Sequence, residues 1–321
     1  MRKFLTALGL AVIAAGTAFA QDDWPSKPVT IVIPSPPGGS SDMTVRAFSE
    51  PLSRKLDRQF VVDSVPGGGG HIANMKVVKA KPDGYTIGMI TASTHGIASS
   101  LYKNMQYDPV ADFTYVARFV AIPNVIIVPK DSKYQTLADL MADAKANAGK
   151  LSFGSLGPGT TTHLTGVAFA NEAGIDVLHV GYKGSAPMLN GLLSGEIEFG
   201  FDQLAGSIGQ ISSGQLRALA VTTKDRVSRL PDVPTVAESG VAGFDFATWY
   251  GLAGPKDMPQ AIADKLASEL QTVLADPAVI DTYRNLGTEP AFMPTAEFRD
   301  FAASEIKKWE PVVKSTGIEL D

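Results

Sequence analysis

The sequence predicts an α/β protein with a doubly wound, parallel or mixed sheet. Short β-branched runs alternate with longer amphipathic stretches almost to the C-terminus. Several runs, such as Val125-Ile126-Ile127-Val128, are apolar throughout, as strands covered on both faces are. A chain of 321 residues, 45% hydrophobic and 19% charged, is too apolar to be disordered and long enough for two domains.

The elements follow in order. Arg2 and Lys3 precede an apolar stretch over 4–15, and Ala18-Phe19-Ala20 then supplies a small-x-small site. Residues 1–20 are therefore expected to be a cleaved secretory signal peptide, since the core is short for a bilayer of about 30 Å. Strands are expected at 29–33, 60–63, 85–90, 113–120, 124–128, 151–154, 177–180, 197–201, 216–222 and 248–253. Among the helices, Thr136 with Asp139 resembles a capping box, with Gly149 at the stop. Ile262, Leu266, Leu270, Val273 and Leu274 form an apolar stripe closed by Pro277. Thr295 is expected to cap a last helix that buries Phe298, Phe301, Ile306, Trp309 and Val313. Pro51 should kink or divide the first helix. Crossings at 119–123 and 222–226 divide the chain into domain I, 24–122 with 226–321, and domain II, 123–225.

Several chemistries are excluded by what is missing. With no cysteine there is no disulfide, thiolate metal site or thiol nucleophile. The formal charge is −5, and loss of the leader removes two more cations, so nucleic acid and anionic membranes are poor partners. An exported chain without cysteine points to the periplasm. No P-loop, G-x-G-x-x-G after the first strand or G-x-S-x-G is present. The four histidines, His71, His95, His163 and His179, never pair at helical spacing, so no metal or cofactor is expected.

Two strand-to-helix loops carry the candidate chemistry. The first contains Pro36, Pro37, Gly38, Gly39, Ser40, Ser41 and Asp42; the second contains Ser155, Gly157, Gly159, Thr160, Thr161, Thr162 and His163. Ligands of open α/β sheets bind beyond the carboxyl ends of strands, where helix N-termini favour an anion. Glycine admits backbone N–H groups, and serine and threonine add hydroxyls. One loop in each domain could pinch a small carboxylate without an arginine. Asp202 stands at another strand end as an acceptor, whereas Gly67–Gly70 reads first as a permissive turn.

The order Trp24-Pro25-Ser26-Lys27-Pro28-Val29, Pro36-Pro37-Gly38-Gly39 with Asp42, Lys81-Pro82-Asp83-Gly84-Tyr85 and Tyr107-Asp108-Pro109 continues into Gly159-Thr160 with His163-Leu164. It continues with His179-Val180-Gly181-Tyr182-Lys183-Gly184, Arg217-Ala218-Leu219-Ala220-Val221-Thr222 and Leu230-Pro231-Asp232-Val233-Pro234-Thr235. In these segments, spread over nearly all of the chain after the leader, the sequence resembles the periplasmic solute-binding receptors of tripartite tricarboxylate transporters, the Bug receptors. The resemblance implies a two-lobed, hinged, type II periplasmic binding fold. It implies a small carboxylate held by the two loops, with Thr91, Ser93, Thr94 and Asp202 as further contacts, and membrane permease subunits as partners of a monomer. The family usually carries an aromatic residue where this chain has Ser35, which leaves ligand size open. No enzymatic activity is expected; the alternatives are a ligand-sensing subunit and a secreted hydrolase using Ser155 or a threonine.

Overall fold

The computed structural model describes residues 24–321; the expected leader lies outside the described residues. Ten strands form one mixed sheet. The strands are β1 (Val29–Ile33), β2 (Phe60–Ser64), β3 (Thr86–Thr91), β4 (Phe113–Pro129), β5 (Ser152–Ser155), β6 (Leu178–Gly181), β7 (Phe199–Gln203), β8 (Leu216–Val221), β9 (Ala247–Pro255) and β10 (Glu289–Met293). The spatial order is β2-β1-β3-β9-β4-β7-β5-β6, with β8 and β10 also paired to β4. β1 runs parallel to β2 and β3, and β5 parallel to β6 and β7. Between these two parallel groups stand β4 and β9, antiparallel to each other.

The 113–120 and 124–128 runs, expected as separate strands, are one strand of 17 residues. Its first part pairs with β9 and β10, and its second part with β7 and β8. Pro123, at the end of the expected 119–123 crossing, pairs only with Ala247 of β9. One side of β4 carries no strand at that point, so a residue without an N–H is accommodated. The 119–123 stretch, expected as a crossing, lies inside this continuous strand.

The segment that follows 222–226 packs on the strands before it. Val227, Leu230 and Val233 pack on the core around Val125 and Ile127, while Val236, Val241, Phe244 and Phe246 join a core with Phe153 and Phe201. The Thr222 hydroxyl donates to the carbonyls of Asn124 and Phe246 and ties this segment down. Pairing with the first half resumes at Ala247.

Helices cover both faces. α1 (Ser40–Leu56) runs unbroken through Pro51, contrary to the expected division. It is followed by α2 (His71–Val78) and, after a wide turn at Ala92–Ile97, by α3 (Ala98–Leu101). α4 (Leu137–Ala146) opens with the expected capping box: Thr136 Oγ1 accepts from Asp139 N (3.2 Å), and the Asp139 carboxylate accepts from Thr136 N (2.9 Å). α5 (Thr161–Ala173), α6 (Ser185–Ser194) and α7 (Leu204–Ser212) complete the second half. α8 (Gln260–Leu274) buries its predicted stripe; Pro277 does stop it, and also begins α9 (Pro277–Asn285) with Asp276 as cap. In α10 (Thr295–Thr316) the capping position is Pro294, and the Thr295 hydroxyl instead donates to Val116 O (2.7 Å). α10 straddles the halves: Phe298 and Ala302 pack with Tyr115 and Trp249, while Trp309, Val312 and Val313 pack with Phe246 and Ile126.

Candidate functional site

Both candidate loops begin where an apolar strand ends, and each is braced by its own side chains. In the first, after β1, Gly38 adopts a φ of +80° and its N–H donates to Asp42 Oδ2 (2.9 Å). Asp42 also accepts from Arg46 Nε at 2.9 and 3.0 Å. Burial alone would raise its pKa, but the Arg46 guanidinium and the Gly38 amide outweigh that and hold it below the usual carboxylate value. Asp42 is therefore an ionised brace for the loop.

In the second loop, Thr160 caps α5 by accepting from His163 N (3.3 Å) and donates to Gly157 O (2.6 Å). Thr162 Oγ1 accepts from Leu156 N (3.1 Å), and His163 Nδ1 accepts from Gly159 N (3.2 Å). His163 stacks on His179 with ring centroids 3.8 Å apart, and His179 Nε2 lies 2.7 Å from Ser155 Oγ. Burial lowers both imidazoles to about 4, with the charge of His163 adding to the shift of His179, so both are neutral above that pH.

The loops meet at a cavity of about 200 Å³ between the halves. The first half supplies Pro34, Ser35, Ser41, Gly69, Gly70, Thr91, Ser93 and Thr94; the second supplies Leu156, Thr160, Thr161, Thr162 and Gln203; β9 supplies Thr248 and Tyr250. None of these residues is Lys, Arg, His, Asp or Glu. α1 and α5 start at this cavity, as does the turn after β3, where Thr91 and Thr94 cap each other at 3.1 Å. The N-terminal ends of α1 and α5 give a positive potential without a cation, each worth about 0.3–1 kcal/mol to an anion. Ser35 Oγ is buried without a partner, and among the described residues the side chains of Ser41, Ser93 and Gln203 also have none. These groups are available to a guest.

Of the residues selected from sequence, Ser41, Thr91, Ser93, Thr94, Thr160, Thr161 and Thr162 line the cavity. Pro36, Pro37, Gly38, Gly39, Ser155, Gly157, Gly159, Asp42 and His163 shape the loops without lining it, and Ser40 starts α1. Asp202 faces away: it is fully buried, accepts from Ser185 Oγ (2.6 Å) and leaves Oδ1 unpartnered, while its neighbour Gln203 lines the cavity. Burial raises its pKa to about 6, against the opposing effect of the Ser185 hydrogen bond. Gly69 and Gly70, read first as a turn, are both a turn of positive φ and part of the lining. Thr248 and Tyr250 were not foreseen; their alternation with Trp249 along an apolar strand is the signal that could have found them.

The Ser155–His179 contact resembles half of a hydrolytic dyad. Ser155 is fully buried, however, and its oxygen already accepts from Gly157 N (3.2 Å). No carboxylate bonds to His179 among the described residues. The pair braces the loop.

Comparison with known proteins bears on the family and the fold. The family described as "Tripartite tricarboxylate transporter family receptor" matches residues 44–318. The UPF0065 protein in the TAR-I ttuE-ttuC' intergenic region of Agrobacterium vitis is 37% identical, over 98% of this chain and 92% of that protein. Among solved structures, the R. palustris protein Rpa4515 with adipate is 34% identical over 93% of this chain and 100% of that one, with a TM-score of 0.82. MatC from Rhodopseudomonas palustris with bound malate is 26% identical over 90% and 100%, with a TM-score of 0.76. The resemblance read from the sequence motifs and the expected periplasmic-binding-protein fold are both borne out. These neighbours are substrate-binding receptors and not enzymes.

Proposed function

The chain belongs to the tripartite tricarboxylate transporter receptor family, and on that premise we propose that it captures a small organic carboxylate between two lobes in the periplasm, as a monomer, for delivery to membrane permease subunits. The lobes are residues 24–122 with the chain after the return crossing, and the stretch between the crossings. The ligand carboxylate is held by backbone N–H groups at the starts of α1 and α5 and by the hydroxyls of Ser35, Ser41 and Ser93, with Gln203 opposite. One observation carries this reading: a cavity bounded by the starts of α1 and α5, free of charged side chains, whose lining includes Ser35, a serine with a buried and unpartnered hydroxyl. A buried donor of that kind is unfavourable until a guest accepts from it. Only a ligand touching both walls favours the closed arrangement, so closure accompanies binding. The adipate and malate held by the neighbouring structures support the carboxylate class.

Calorimetric titration with a panel of aliphatic and aromatic carboxylates tests this. At least one acid binds one-to-one, its methyl ester does not, and Ser35→Ala weakens it by about five- to tenfold, the value of one hydrogen bond. Solution scattering shows compaction with that acid. A panel without a binder, or a binder indifferent to Ser35→Ala, overturns the assignment.

A further inference from the structure

β9 has a second face. Thr248 and Tyr250 look into the cavity already described; Ala247 and Trp249, alternating with them, line another cavity of about 490 Å³ on the opposite side of the strand. Its walls also come from both halves: Arg118 of β4 and Phe301 of α10 on one side, and the 223–228 segment on the other.

Arg118 is positioned as a receptor group. Its Nε donates to Ala291 O (3.1 Å), and its guanidinium lies over the Phe301 ring, 5.0 Å from the centroid. Phe301 is in turn fixed edge-on to Trp249 at 5.6 Å. The two terminal nitrogens of the guanidinium have no hydrogen-bond partner and no ion pair among the described residues. The side chain is held by its stem while the fork is left open, which is the arrangement that takes two coplanar oxygens.

The carboxylates that share the cavity do not answer it. Both oxygens of Glu305 are used, one by Trp249 and Trp309 Nε1 (2.9 and 3.1 Å), the other by Lys308 (3.1 Å). Asp245 accepts from Lys224 N (3.1 Å), and Glu289 accepts from Ser228 and pairs with Arg284. Asp225 is exposed at the rim. The Lys224 ammonium, also exposed, adds a second unpaired cation. Glu305 and Asp245 act on the Arg118 guanidinium through space, but neither bonds its two terminal nitrogens.

We propose that this rear cavity is a second binding site, specific for a small oxyanion, carboxylate or phosphate, taken in two-pronged fashion by Arg118 against Phe301. It is independent of the front site in its chemistry, because one relies on a cation and the other has none. The two share β9 as a wall.

The test uses the whole chain with the front cavity filled by Ser93→Phe, titrated calorimetrically with inorganic phosphate and separately with succinate. One of the two binds one-to-one, and adding Arg118→Gln weakens it at least tenfold, while Arg118→Lys, which keeps the charge without the fork, is intermediate. The anion that binds identifies the source. Should Arg118→Gln fail to fold, Ala121→Phe fills the rear cavity from β4 and abolishes the same binding. If the Ser93→Phe chain binds neither anion, or binds equally well with Arg118→Gln, the rear site is refuted. In the parent chain, with Ser93 intact, rear binding without any carboxylate binding at the front refutes only the receptor reading above.

Discussion

The hydroxyls of Thr161 and Thr248 meet at 2.6 Å across 87 residues of sequence. The bond joins the first turn of α5 to β9, so one loop of the candidate site is pinned to a strand that links the halves. Both residues are buried. Thr161→Val keeps the shape but leaves the Thr248 hydroxyl unpaired, and is expected to lower stability by about 1–3 kcal/mol in urea unfolding. Thr161→Val with Thr248→Val should cost clearly less than the sum of the single changes, because no orphan remains. Strict additivity would mean that the contact carries no coupling.

Gly70, in the cavity lining, and Gly39, in the first loop, make opposite predictions. Gly70 has a φ of +94°, and a Cβ there would stand 2.6 Å from Thr94 Cγ2 and 3.2 Å from Pro34 Cβ. Pro34 and Thr94 both line the cavity, so Gly70→Ala should lower stability by about 1–3 kcal/mol and weaken carboxylate binding together. Gly39, at a φ of −75°, has only Pro36 O at 3.4 Å. Gly39→Ala should stay within about 0.5 kcal/mol of the parent. Thermal melts with and without a bound acid read both effects.

These contrasts indicate how far the sequence could be read. β1 lies where its β-branched run begins and ends, and the two loops announce themselves by glycine, proline and hydroxyl residues directly after apolar strands. β10 carries no such signal. Glu289-Pro290-Ala291-Phe292-Met293 has no β-branched residue and contains a proline, and it forms because β4 offers it an antiparallel edge. The cavity was legible only in the part contributed by contiguous loops. Gln203, Thr248 and Tyr250 arrive from β7 and β9, and their place depends on a pairing order no local pattern encodes. Strand alternation separates neighbours: Gln203 lines the cavity, while the carboxylate of Asp202 lies beside Ser185.

That buried carboxylate sets a pH dependence. Burial lifts Asp202 to about 6, above its value near 3.9 in the unfolded chain. A raised acid contributes most below the unfolded value, and its contribution is lost as pH climbs through about 6. Asp202→Asn retains an acceptor for Ser185 and removes the charge. Relative to the parent it should therefore gain stability between pH 4 and 7, by about 2–3 kcal/mol in total. Paired denaturation curves at pH 4.5, 6 and 7.5 measure this; a difference that stays constant across the range would refute the buried-charge account.

The stacked imidazoles act with the opposite sign. His163 and His179 have values near 4 where the unfolded chain has about 6.5, so the unfolded state takes protons first. Their contribution is present above pH 6.5 and disappears as pH falls through about 4, with a slope of about 1.4 kcal/mol per pH unit for each ring. Protonation also turns His163 Nδ1 from acceptor to donor and breaks its bond with Gly159 N, which loosens the second loop. Acid should therefore weaken carboxylate binding before it unfolds the chain. His163→Gln, which can still accept from Gly159 but cannot take a proton, should flatten both the stability and the affinity profiles between pH 4 and 6.5. Proton inventories from calorimetry in buffers of different ionisation enthalpy separate this loss from the gain at Asp202. An unchanged acid limb in His163→Gln would assign the loosening to another group.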